Sequence, residues 1–98
     1  MNILELNKDL VRFIWDEILD EKINIDKNTC IEDDLGISGI DADRFILSFS
    51  EKFHVDISDF NIDNYFEPEV SLFFLKKKKR IQLTAGDLEN AIREGKLK

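Results

Sequence analysis

The chain has 98 residues and is sparing with the side chains that do most chemistry: one cysteine, Cys30, and one histidine, His54. A lone cysteine forms no internal disulfide, so a reducing compartment, the cytoplasm, is expected. His54 has no second histidine or nearby cysteine to share a metal with, and no metal site is expected. Neither a Ser/His/Asp nor a Cys/His set assembles around single copies of Cys30 and His54. One proline and four glycines leave no linker, no low-complexity stretch and no Gly-rich phosphate loop. The longest apolar run, Val70 to Leu75, is broken by Ser71 and falls far short of the ~18 residues of a membrane span. Glu5, Lys8 and Asp9 interrupt the apolar opening that a secretory leader requires. No enzyme is expected.

What is present is apolar residue and charge. Hydrophobic residues make up 43% of the chain, enough to exclude a disordered polymer and to build one compact core over residues 1–98. Fourteen Lys and Arg against twenty-one Asp and Glu give a net charge of −7. That balance argues against nucleic acid and for a partner with a basic surface. The charge is unevenly spread. Residues 1–75 hold six basic and eighteen acidic side chains, whereas residues 76–98 hold eight basic and three acidic.

Periodicity predicts a first helix from an Asn7 N-cap to about Glu21. Leu6, Leu10, Phe13, Ile14 and Ile18 recur at spacings of three and four and mark its buried face. Residues 23–37 read as a long loop in which Ile23, Ile25 and Ile31 can reach the core, closed by Asp34-Leu35-Gly36. A second helix is predicted from about Ile40 to Phe53. Ala42, Phe45, Ile46, Phe49 and Phe53 face inward, and Asp41, Asp43, Arg44, Glu51 and Lys52 face outward. Ser38 to Asp41 has capping-box spacing. Val55 to Ile57 alternates but is too short for a strand, and Asp59 to Phe66 reads as a short helical turn. Residues 68–82 fit either a short helix opened by Pro68 or a hairpin ending at Leu83. A last helix has Thr84 as N-cap, Asp87 at its third position, Leu88, Ala91 and Ile92 facing inward, and Gly95 as C-cap.

Three motifs carry a resemblance. Asp34-Leu35-Gly36-Ile37-Ser38-Gly39-Ile40-Asp41 resembles, without a gap, the Asp-Leu-Gly-x-Asp-Ser-Leu-Asp segment of acyl carrier proteins. Phe45, Ile46, Phe49, Glu51, Phe53 and Ile57 are similar to the carriers' second-helix core and its Glu-x-Phe ending. Leu83-Thr84-Ala85-Gly86-Asp87-Leu88 is similar to the opening of their final helix. The resemblance spans most of the chain, with an insertion near residues 60–82. It implies an all-α, three- or four-helix bundle of acyl carrier type with an inserted segment before the last helix. The chain departs from that family at one position. The serine that bears the prosthetic arm aligns with Gly39, which has no nucleophile. Ser38 stands one residue earlier, about 100° away around a helix, where an N-cap role competes with modification. The glycine, the Phe-rich middle and the Leu-Thr-x-Gly-Asp-Leu end are also similar to a small uncharacterised bacterial family. That family is carrier-protein-like and labelled a domain of unknown function.

Other constellations have ordinary readings beside the functional ones. Asp59, Asn61, Asp63 and Asn64 imitate the first half of a calcium loop, but Val70 stands where the bidentate Glu belongs and Pro68 interrupts the loop. Phe73-Phe74-Leu75 followed by Lys76 to Arg80 can anchor at a membrane surface or bind phosphates, or place its aromatics in the core and its lysines against an acidic body. Trp15 reads as core or rim packing. Cys30 lies in an acidic loop that raises a thiol pKa.

The expected function is therefore non-catalytic: an interaction module without a cofactor, whose acidic second-helix face meets a basic partner. Glu32 and Asp33 add to that acidity, and Asp34, Asp41, Asp43 and Arg44 are the candidate contact residues. Two alternatives stay open. One is a working carrier with 4'-phosphopantetheine on Ser38. The other is membrane-surface binding through residues 73–80.

Overall fold

The structure, a computed structural model, describes residues 6–20, 23–37, 39–61 and 82–97. These residues hold three helices and no strand: α1, Lys8–Ile18; α2, Gly39–Phe53; and α3, Ala85–Glu94. They form a small helical bundle. Ser38, the segment 62–81 with both readings of residues 68–81, and the Phe73 to Arg80 run lie outside the described residues. No helix among the described residues is long and apolar enough to cross a membrane.

α1 starts where its cap places it. The Asn7 side-chain oxygen accepts the Asp9 N–H at 2.7 Å and the Leu10 N–H at 3.3 Å, satisfying two donors that the first turn leaves without helical partners. Leu10, Phe13 and Ile14 are buried along the predicted face. The helix stops at Ile18, three residues before the expected Glu21. Leu19 takes a left-handed conformation, φ 59°, as the C-cap. The Trp15 indole N–H then donates to the Ile23 carbonyl at 2.9 Å. Sequence periodicity cannot see that reversal, because it depends on the chain folding back to the indole.

α2 lies against α1 through an aromatic seam. The Phe13 ring centroid is 5.4 Å from that of Phe45, 6.2 Å from Phe49 and 5.7 Å, edge-on, from Phe53. Such pairs contribute about 0.5–1.5 kcal/mol each beyond the area they bury. The predicted stripe is observed: Ala42, Phe45, Ile46 and Phe49 are buried, and Phe53 packs against the same cluster.

α3 is capped as its sequence indicates. Thr84 and Asp87 form a reciprocal capping box, and Gly95 is the C-cap. Backbone pairing fastens both ends of this helix to distant parts of the chain. At its start, Ala85 N–H donates to Thr29 O at 2.9 Å, Gly86 N–H to Lys27 O at 3.0 Å, and Ile31 N–H to Leu83 O at 2.8 Å. At its end, Asp56 N–H donates to Gly95 O and Leu97 N–H to Asp56 O, both at 2.9 Å. The Val55–Ile57 segment, set aside as too short for a strand, is thus a single parallel bridge to Lys96. Fully buried Ile31 joins Leu83, Ala85 and Leu88 in the same core cluster as the α1 and α2 stripes.

Gly86 permits the close approach of the loop. A Cβ there would lie 2.8 Å from the Lys27 carbonyl oxygen and 3.1 Å from Lys27 Cβ. Gly→Ala in a helix ordinarily stabilises by roughly 1 kcal/mol. Gly86→Ala should reverse that sign, because overpacking costs about 1–3 kcal/mol. Urea unfolding measures the difference, and a stabilised variant would mean that residues 27–31 do not press on α3.

Candidate functional site

The four charged candidates are not brought together as one patch. Asp34 is exposed, yet its Oδ2 accepts the Cys30 N–H at 2.8 Å. The Asp34 N–H donates in turn to the Cys30 carbonyl at 3.0 Å. Asp34 closes the helical turn from 30 to 35, so the Asp-Leu-Gly motif has a structural task before any other. Asp43 is exposed on α2 two positions beyond Asp41, about 200° around the helix. The two aspartates therefore look in different directions.

Asp41 and Arg44 do share a site. Together with Glu17 and Ile18 of α1, Leu35, Gly36 and Ile37 of the loop, and Phe45, they line a cleft of about 360 Å³. Glu17 was not a candidate in the sequence, although its spacings of seven, four and three from Leu10, Phe13 and Ile14 place it on the buried stripe of α1, at the helix's last turn. The last turn of α1 and the first turn of α2 open on one cleft, which Glu17 and Asp41 both line. Burial, and after it the neighbouring Asp16 carboxylate, push the Glu17 carboxyl above the ordinary glutamate range.

A second surface lies on the solvent side of α2. Ile40 is 53% exposed and Leu47 55% exposed. At 100° per residue, Ile40, Asp43, Arg44, Leu47 and Glu51 fall on one face, opposite Ala42, Phe45, Ile46 and Phe49. Leu47 is off the core stripe, and its seven-residue spacing from Ile40 was the available signal. On this face Asp43, Arg44 and Glu51 flank the two large apolar side chains.

Gly39 begins α2 with φ 60°. A side chain is disfavoured in this left-handed region by roughly 1–2 kcal/mol, so the glycine at position 39 answers a backbone requirement. Ser38, the other candidate at this junction, is outside the described residues, as are Asp63 and Asn64 of the calcium-like run. Among the described residues no group of three or more His, Cys, Asp or Glu is placed to hold a metal ion.

A family model described as "Protein of unknown function (DUF1493)" matches residues 2–95, and the chain belongs to that family. No curated protein and no solved structure matches it.

Cys30 is half-buried at the junction of the loop with α3, bridged to Thr84. Desolvation raises its thiol pKa first, followed by the charges of Asp34, Asp33 and Asp87. Since the thiolate is the nucleophile, Cys30 alkylation should be slow at neutral pH, with an apparent midpoint above that of a free thiol. Asp33→Asn should move that midpoint down. A pH–rate profile of iodoacetamide labelling checks both, and a midpoint at or below the free-thiol value contradicts them.

Proposed function

We propose that this member of the DUF1493 family is a non-catalytic, acyl carrier protein-like interaction module without a prosthetic group, and that the solvent face of α2 meets a basic protein partner. The observation that carries the reading is the exposure of Ile40 and Leu47 on the face that also presents Asp43, Arg44 and Glu51. Two further features support it. The order α1, long loop, α2, α3 fits the carrier-like arrangement that the sequence motifs imply. Gly39, with its positive φ, stands where a carrier would need its modified serine. The acidic balance of residues 1–75 favours encounter with a positively charged surface and affects association rate more than final affinity. Within that reading the contacts divide by distance from the centre: Leu47 and Ile40 supply apolar area, whereas Asp43 and Glu51 select the sign of the partner. Asp34 contributes only indirectly, by shaping the turn that leads into α2.

Affinity retention from a cell extract tests the face. Basic proteins held by the wild-type chain should be lost with Leu47→Ser and weakened by Asp43→Lys, with the helical circular dichroism unchanged. A central apolar contact of this kind is worth on the order of 2 kcal/mol, about thirty-fold in affinity. Retention unaffected by both substitutions would remove the α2 face from consideration.

The rival carrier reading is decided by mass. Co-expression with a phosphopantetheinyl transferase should leave the intact mass unaltered. A prosthetic-group increment that disappears in Ser38→Ala would overturn the non-carrier reading.

A further inference from the structure

The solvent face of α2 is arranged symmetrically about one line along the helix. At 100° and 1.5 Å per residue, Ile40 and Leu47 lie about 20° apart around the helix and about 10 Å apart along it. Asp43 and Arg44 stand midway between them, about 50° to either side of the line that the two apolar residues define. Ile40, Asp43, Arg44 and Leu47 are all exposed, whereas the other side of α2 is committed to the core. The anion lies on one flank of the apolar seam and the cation on the other. A second copy of the same helix can match that pattern.

We propose that this face pairs with the same face of a second copy of the chain, the two α2 helices running parallel about a two-fold axis between them. Ile40 then meets Ile40 of the second copy, and Leu47 meets Leu47. The axis carries Asp43 of each copy to the flank occupied by Arg44 of the other, so two reciprocal ion pairs close over the apolar seam. The antiparallel alternative fails on the same geometry. With Ile40 set against Leu47, it places Asp43 against Asp43 and Arg44 against Arg44, which repel. Glu51, seven residues beyond Arg44, lies about 10 Å further along the axis and clear of these pairs. Two chains of net charge −7 repel at long range, but physiological salt screens that repulsion beyond about 8 Å. The pairs formed at contact are of opposite sign. One helix pair is small against the roughly 1,200–2,000 Å² of a stable interface, so the dimer is weak and exchanges readily. This inference goes beyond the proposed function: a paired copy covers the face that the basic partner needs, and the two occupants exclude each other.

Sedimentation velocity of the purified chain, from micromolar to millimolar concentration at physiological salt, tests the pairing. The 11.5 kDa monomer should give way to a dimer as concentration rises. Asp43→Arg and Arg44→Asp should each weaken dimerisation roughly ten-fold, because the two-fold axis turns one substitution into two like-charge contacts. Asp43→Arg takes the net charge from −7 to −5. Overall repulsion alone would therefore strengthen that variant's dimer, whereas local pairing weakens it. The double exchange Asp43→Arg/Arg44→Asp keeps the net charge at −7 and should restore wild-type association. Leu47→Ser should leave monomer only. Four results would each overturn the proposal: a monomer at every concentration, a stronger dimer with Asp43→Arg, a double exchange no better than the single ones, or indifference to Leu47→Ser. The measurement involves no other protein, so self-pairing and the retention of basic proteins succeed or fail separately.

Discussion

The backbone hydrogen bonds that fasten both ends of α3 hold the rest of the architecture in place. α3 has ten residues, below the roughly 12–15 at which an isolated helix becomes marginal in water. Its capping box and C-cap satisfy part of its terminal polar groups. The remaining first-turn donors, Ala85 N–H and Gly86 N–H, are taken by the carbonyls of Thr29 and Lys27. These bonds do two things at once. They complete a helix terminus, and they fix a long loop that has no regular structure of its own. At the other end the Asp56 bridge joins the chain after α2 to the chain after α3. Leu83, Ala85, Leu88 and Ala91 are thereby held against the core built by α1 and α2.

That arrangement sets the position of α2 and gives its two sides different tasks. The buried side is committed to the Phe13 seam and cannot change without losing contact with α1. The opposite side retains Ile40 and Leu47 at the surface, although covering them would lower the free energy of the isolated chain. Between these sides lies the edge carrying Asp41, beside the loop that Asp34 shapes. The cleft exists because Leu35, Gly36 and Ile37 return toward α1 before α2 begins. Its polar rim is drawn from two helices and its floor from all three segments, so neither helix alone contains it.

Much of the helical framework was legible in the residues. Asn7, Thr84, Asp87 and Gly95 mark helix ends by local hydrogen bonding, which depends on a few neighbouring positions. The stripes of α1 and α2 repeat at three and four residues and are buried as read. The early end of α1 was not legible, because it follows from Trp15 reaching Ile23 across a chain reversal. Nor was the division of the charged residues. Asp34, Asp41, Asp43 and Arg44 are neighbours in a string, but Asp34 closes a turn, Asp41 lines a cleft, Asp43 faces outward on α2 and Arg44 stands between the cleft and that outer face. Equal charge in sequence conceals unequal direction in space.

By itself, the sequence determined which segments become α1, α2 and α3, where α1 begins, how α3 is capped and which stripe each buries, since these depend on spacing and on side chains within a turn of one another. It also determined that Gly39 carries no nucleophile, a matter of covalent chemistry alone. Only the tertiary structure decided that Gly39 holds a left-handed backbone and that Gly86 is pressed by the Lys27 carbonyl. The same is true of the meeting of Glu17 with Asp41 and Arg44 at one cleft. The last two join residues far apart along the chain, and their geometry is set by how the loop closes on α3 and how α1 seats on α2. Periodicity places a residue on a face; the packing of one element on another decides what that face meets.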